Sequence, residues 1–135
     1  MYLRRKPDPG LLHEFDRDCV SIIQEIIEKD SSIEIVVSSN WQDLVPLHVM
    51  QHFYRRQGLK APIAYTERPS PQHDSTPEQR AMEIRTWLLK STGVKRWVAI
   101  DEYNLKPHLF NSVWTEPTFG IKQPGVKEEL LQYLI

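Results

Sequence analysis

The chain has 135 residues, 40% of them hydrophobic and 26% charged, which suits one globular domain with its own core. A formal net charge of −1 argues on bulk electrostatics against a nucleic-acid or membrane-surface protein. No apolar run approaches a membrane span, residues 1–6 lack the apolar stretch of a signal peptide, and a reducing cytoplasm is the expected compartment.

Residues 1–14 read as an irregular arm. Tyr2-Leu3 could open a strand, but Arg4, Arg5 and Lys6 follow, and Pro7-Asp8-Pro9-Gly10 ends any regular element. A buried parallel strand reads as a continuous apolar run, which this is not. Asp16 or Asp18 can cap a helix reaching about Lys29, because Cys19, Val20, Ile23, Ile26 and Ile27 recur at three- and four-residue spacing. Cys19, the one cysteine, is expected on the buried face as a small hydrophobe. Ile33-Glu34-Ile35-Val36-Val37 is a strand that runs straight into Ser38-Ser39-Asn40-Trp41.

A second helix is expected from Asp43 to Gln57, with Leu44, Leu47, Met50, Phe53 and Tyr54 inward, Pro46 in its first turn and Gly58 as its stop. Residues 61–65 form a short strand whose Pro62 favours an edge. Residues 66–75 are a polar, proline-rich connection. Thr76-Pro77-Glu78-Gln79 is a strong helix start, a capping hydroxyl with proline at the first position and glutamine three residues after the cap. That helix reaches about Ser91, with Met82, Ile84, Trp87 and Leu88 apolar. A strand over 96–100 ends in Asp101-Glu102, a short helix or turn covers 103–110, a last strand covers 112–115, and a helix covers 125–134. Alternating helices and strands predict an α/β domain over 1–135. Its expected form is a three-layer α/β/α sandwich with a mainly parallel, Rossmann-like sheet.

In such a sheet, ligands sit at the carboxyl ends of the strands. Ser38 and Ser39 would supply hydroxyls there, either to an anion or as caps for the next helix. Asp101 and Glu102 would supply charge, either to a cation or to a turn. Arg80, one turn into its helix, is either an anion partner or a solvated charge. His48 and His52 have i, i+4 spacing that can hold Zn²⁺, but no third ligand follows at helical spacing, so exposed histidines are expected. Arg55-Arg56 and Lys95-Arg96 are too short for a nucleic-acid groove. Trp41, Trp87, Trp97 and Trp114 are expected in the core or the crevice wall.

The order of these pieces resembles a haloacid dehalogenase-like (HAD) domain. A strand is followed by Ser-Ser-x-Trp, then comes a helix with an Arg before Glu-Ile-x-x-Trp-Leu, then a strand ending in Asp and an acid. A strand ending Val-x-Thr-x-Pro closes the set. The chain is most similar to the small capless type grouped with Swiss-army-knife RNA-repair systems, over about 15–120. The resemblance implies a hydroxyl for the phosphate at Ser38, with Ser39 beside it, a charge-offsetting cation at Arg80, and Mg²⁺ held by Asp101 and Glu102. It also calls for an Asp-x-Asp pair ending a central first strand. Here Pro7 and Pro9 fall on those two positions, and only a one-residue shift makes Asp8 the nucleophile.

Proline can neither attack phosphorus nor carry a proton, and covalent phosphoryl transfer needs an anionic oxygen in line. Three resolutions of the missing strand are open: a fragment whose strand lies upstream, direct pairing of the flanking strands, or a strand donated by a partner chain, a homodimer included. A compact sheet without a good first strand is favoured. Two functions follow. The first is a catalytically impaired domain that binds a phosphorylated small molecule or a protein. The second is a Mg²⁺-dependent phosphohydrolase that uses Asp8 or an upstream aspartate.

Overall fold

In a computed structural model, residues 15–39, 42, 44–67, 76–115 and 120–135 are described. Helix α1, Arg17–Lys29, begins where expected: the Asp16 carboxylate accepts the backbone N–H groups of Asp18 and Cys19. These are donors that a helix start otherwise leaves without partners. Cys19, Val20 and Ile26 are buried along it. Strand β1, Val36–Val37, pairs in parallel with β2, Ala64–Tyr65, with Val36 opposite Ala64 and Val37 opposite Tyr65. Flanking bonds from Ile63 N–H to the Ile35 carbonyl (2.9 Å) and from Thr66 N–H to the Val37 carbonyl (3.0 Å) prolong the contact. Both strands are shorter than the runs 33–37 and 61–65, whose composition marks burial. A ladder also needs a donor, which Pro62 lacks.

Helix α2 is Leu47–Arg56, not 43–57. Proline disfavours helical backbone in the residue before it, so Pro46 becomes the N-cap, at φ −59 and ψ 152, rather than a first-turn residue. Leu44 consequently stays outside the helix and is exposed, while Val45 is buried in its place. Gly58, at φ +83, terminates the chain's turn out of α2 as expected.

Helix α3, Pro77–Lys90, carries the full capping box: the Thr76 hydroxyl accepts Gln79 N–H, and the Gln79 side chain accepts Thr76 N–H. Its inward face differs from the apolar pattern. Met82 is 63% exposed, whereas Arg80, Ala81 and Glu83 are buried. Strand β3, Ala99–Asp101, pairs in parallel with β4, Ser112–Trp114, and Asp101 lies opposite Trp114. Residues 106–108 form the turn between them. A 3-10 turn, Gly120–Lys122, leads to helix α4, Val126–Leu134.

Among the described residues the strands form two separate parallel pairs, β1 with β2 and β3 with β4. Direct pairing of β1 with β3, one of the three resolutions of the missing strand, is not found among the described residues. Among the described residues, packing is one link between the halves. Val20 of α1 belongs to the core under β1, with Phe15, Met50 and Tyr54, while Cys19 and Ile26 belong to the core around Val113, Ile121 and Leu130. One helix thus presents two faces to two sheets. A third cluster packs Ala81 of α3 on Ala99 of β3 with Leu105 and Leu109. No helix of the described residues is long and apolar enough to cross a membrane.

Candidate functional site

The capping box fixes where α3 starts, and so fixes Arg80 one turn inside it, its N–H bonded to the Thr76 carbonyl at 2.9 Å. From there the side chain reaches across the carboxyl ends of two strands. Nη1 donates to Asp101 Oδ2 at 2.6 Å and to the Ser38 carbonyl at 3.0 Å. The guanidinium lies over the Tyr103 ring, 5.2 Å from its centroid, a favourable position for a cation on a π face. Arginine has five N–H donors. Those of Nη1 are engaged, and the buried Nε–H has no acceptor among the described residues. Nη2 likewise donates to nothing there. The Nε–Nη2 edge is the flat two-donor fork that matches two oxygens of a carboxylate or phosphate.

At the end of β1 neither serine caps α2, whose N-cap is Pro46, with no side-chain bond to its first turn. Instead the Ser38 hydroxyl accepts from Thr66 Oγ1 at 3.2 Å, and Ser39 N–H donates to Gln42 Oε1 at 2.8 Å. Gln42 Nε2 donates in turn to the Thr66 carbonyl at 2.5 Å. Gln42 therefore ties the ends of β1 and β2 together. Both serines are half-buried beside the carbonyl that Arg80 holds.

Asp101 accepts hydrogen bonds on both oxygens. Its Oδ1 accepts Tyr103 N–H at 3.0 Å while Oδ2 holds Arg80. Glu102 is more open to solvent; partial burial, then the adjacent Asp101 carboxylate, push its pKa up against the smaller opposing pull of Arg80. The Glu102 carbonyl accepts the indole N–H of Trp114 at 2.8 Å. A Mg²⁺ ion takes several hard oxygen ligands in near-octahedral geometry. Among the described residues no three His, Cys, Asp or Glu side chains come together, and both Asp101 oxygens already accept a hydrogen bond.

Asp8 and Trp41 lie outside the described residues. Arg80 joins Asp101 and the backbone carbonyl of Ser38 directly, and Ser39 and Glu102 are the chain neighbours of those two partners. His48 and His52 are exposed. Trp114 is not a core residue but 58% exposed at the strand end. Three participants carry no motif: Gln42, Thr66 and Tyr103. Only Tyr103 left a trace, since an Asp two residues before a backbone N–H is a turn-forming pair.

Parallel strands alternating with helices, with an arginine, an acidic pair and hydroxyls at the strand ends, define a HAD-like α/β protein. Residues 2–126 match the family model described as the HAD domain in Swiss Army Knife RNA repair proteins, and the chain belongs to that family. No curated protein and no solved structure matches it.

Proposed function

We infer that this HAD-like domain binds the phosphate of a phosphorylated ligand at Arg80 and does not turn it over. The carrying observation is the Nε–Nη2 edge of a guanidinium whose side chain is only 8% exposed and whose Nε has no acceptor among the described residues. A buried donor without a partner costs about 1–3 kcal/mol, and an oxyanion on that edge would recover it. Nη1 already neutralises Asp101, so an arriving anion meets less repulsion from that carboxylate. The Ser38 and Ser39 hydroxyls would assist as donors. Ligand and site would be framed by a three-layer sandwich, a reading that family membership and the short parallel strands support.

The lack of turnover rests on chemistry. By the resemblance, aligned without gaps, Pro7 and Pro9 fall where the family's two aspartates belong, and proline supplies neither a nucleophile nor a proton carrier. The test uses the full chain with inorganic phosphate, followed by melting temperature. Ligand at ten times its Kd stabilises by about 1.4 kcal/mol. Arg80→Lys keeps a cation for Asp101 but lacks the two-donor edge, so its phosphate-dependent shift should fall while its fold persists. An equal shift in Arg80→Lys sinks the assignment of the edge. In a parallel assay with Mg²⁺ and p-nitrophenyl phosphate, hydrolysis that disappears in Asp8→Asn would replace the binding role with a phosphohydrolase.

A further inference from the structure

Tyr103 meets the arginine site at two places. Its backbone N–H donates to Asp101 Oδ1 at 3.0 Å, and the Arg80 guanidinium lies over its ring, Cζ 5.2 Å from the centroid. Asp101 Oδ2 in turn takes Nη1 at 2.6 Å. The ring is itself seated, packed on the cluster of Ala81, Ala99, Leu105 and Leu109. Ala81 follows Arg80 on α3, and Ala99 opens the strand that ends at Asp101. Ring, arginine and carboxylate therefore stand on one patch of core.

The bonds of Arg80 show why a ring matters there. Both named bonds leave from Nη1, one to Asp101 and one to the Ser38 carbonyl at 3.0 Å. They locate one nitrogen and leave the rest of the plane able to rock about it. A ring against the flat face opposes that rocking, and it takes none of the in-plane N–H donors. The Nε–Nη2 edge is thus held without being used. A fork kept in place beforehand loses less freedom when an oxyanion arrives.

We propose that Tyr103 is a positioning residue for anion binding: its ring fixes the plane of the Arg80 guanidinium, so that the two-donor edge is preformed. The ring acts through Arg80 and needs no contact with the ligand. The aromatic face carries this role and the hydroxyl does not, so phenylalanine can replace the tyrosine and leucine cannot. The inference rests on the phosphate site at Arg80 and adds what keeps that site in shape.

The experiment uses the full chain, its Tyr103→Phe and Tyr103→Leu variants, and two readouts. Calorimetric titration with inorganic phosphate gives the affinity. Nitrogen-15 relaxation gives the order parameter of the Arg80 Nε–H in the ligand-free protein, its resonance assigned by its loss in Arg80→Lys. Tyr103→Phe should match the wild type in both. Tyr103→Leu should bind phosphate about two- to tenfold more weakly, the ordering cost of one side chain, and its Nε–H order parameter should fall. Wild-type affinity in Tyr103→Leu, or an equal loss in both variants, overturns the positioning role while leaving the phosphate site in place. The wild type alone supplies a check that does not depend on a variant folding: an Nε–H order parameter in the flexible range, below about 0.6, overturns the held fork. Failure of the wild type to bind phosphate overturns the phosphate site itself, and with it the role of Tyr103 in binding.

Discussion

Arg80 and Asp101 form a pair that does the work of a missing ladder. The Nη1 that meets Asp101 Oδ2 at 2.6 Å also holds the Ser38 carbonyl at 3.0 Å. One nitrogen thus joins the end of β1 to the end of β3, which share no hydrogen bonds among the described residues. With side chains 8% and 12% exposed, neither charge has water to fall back on. Removing one partner of such a pair leaves the other buried and uncompensated, a loss of about 3–5 kcal/mol.

Arg80→Met should therefore destabilise the protein by roughly that 3–5 kcal/mol, measured by urea denaturation. Asp101→Asn placed on top of it should recover part of the loss, because the stranded charge is gone. If the double variant is no more stable than Arg80→Met, uncompensated burial of Asp101 is not the cause.

Glu102 gives a pH dependence of definite sign. Its pKa is raised from 4.5, first by burial and then by Asp101. The folded state therefore holds the proton more tightly than the unfolded chain, so the contribution of Glu102 to stability is full below about 4.5 and is lost as pH rises through the raised value. Glu102→Gln has no proton to lose. Melting temperatures collected upward from pH 4.5 should decline less in the variant than in the wild type; parallel curves would remove Glu102 as the source.

Much of this was legible in the residues, and the misses have causes. The capping box at Thr76 and Gln79 and the aspartate cap at Asp16 are local, so sequence spacing reveals them. Pro46 is the N-cap rather than a first-turn residue because a proline also restricts the residue before it, here Val45. Met82 is apolar by sequence but 63% exposed. The face that α3 buries is set instead by the need to bring Arg80 to Asp101 and Ala81 to Ala99. Ser38, Arg80 and Asp101 could be picked out by resemblance. That Nη1 would take both a carboxylate and a carbonyl, leaving the fork edge disengaged, depends on distances no spacing encodes.

Gly58 should resist replacement for two reasons. Its φ of +83 is one that a Cβ disfavours, and a Cβ there would sit 2.8 Å from Gln24 Nε2, the same atom that donates to the Gly58 carbonyl at 2.8 Å. The amide can swing away only by giving up that bond. Gly58→Ala should cost about 1–2 kcal/mol from the backbone alone, with Gln24→Ala adding less in the Gly58→Ala background than in the wild type. Additive losses in the double-variant cycle would show that the two groups are not coupled.

Asp16 separates a helix cap from an ion pair. One oxygen receives Asp18 and Cys19 N–H, while the other meets Lys122 Nζ at 2.9 Å and links the start of α1 to the 3-10 turn before α4. Asp16→Ala removes both and should cost about 0.5–2 kcal/mol through the cap. Asp16→Asn keeps an oxygen for the cap and loses only the charge, and water screens much of an ion pair whose lysine is 30% exposed; its loss should be the smaller. The Lys122 pKa is raised above 10.5 chiefly by its hydrogen bond to Asp16. The pair's contribution is thus full below 10.5 and declines as pH rises through the raised value. Denaturation midpoints followed into that alkaline range should converge for the wild type and Asp16→Asn, whereas Asp16→Ala should stay below both. A wild-type advantage over Asp16→Asn that persists unchanged there would mean that the charge on Lys122 is not what Asp16 holds.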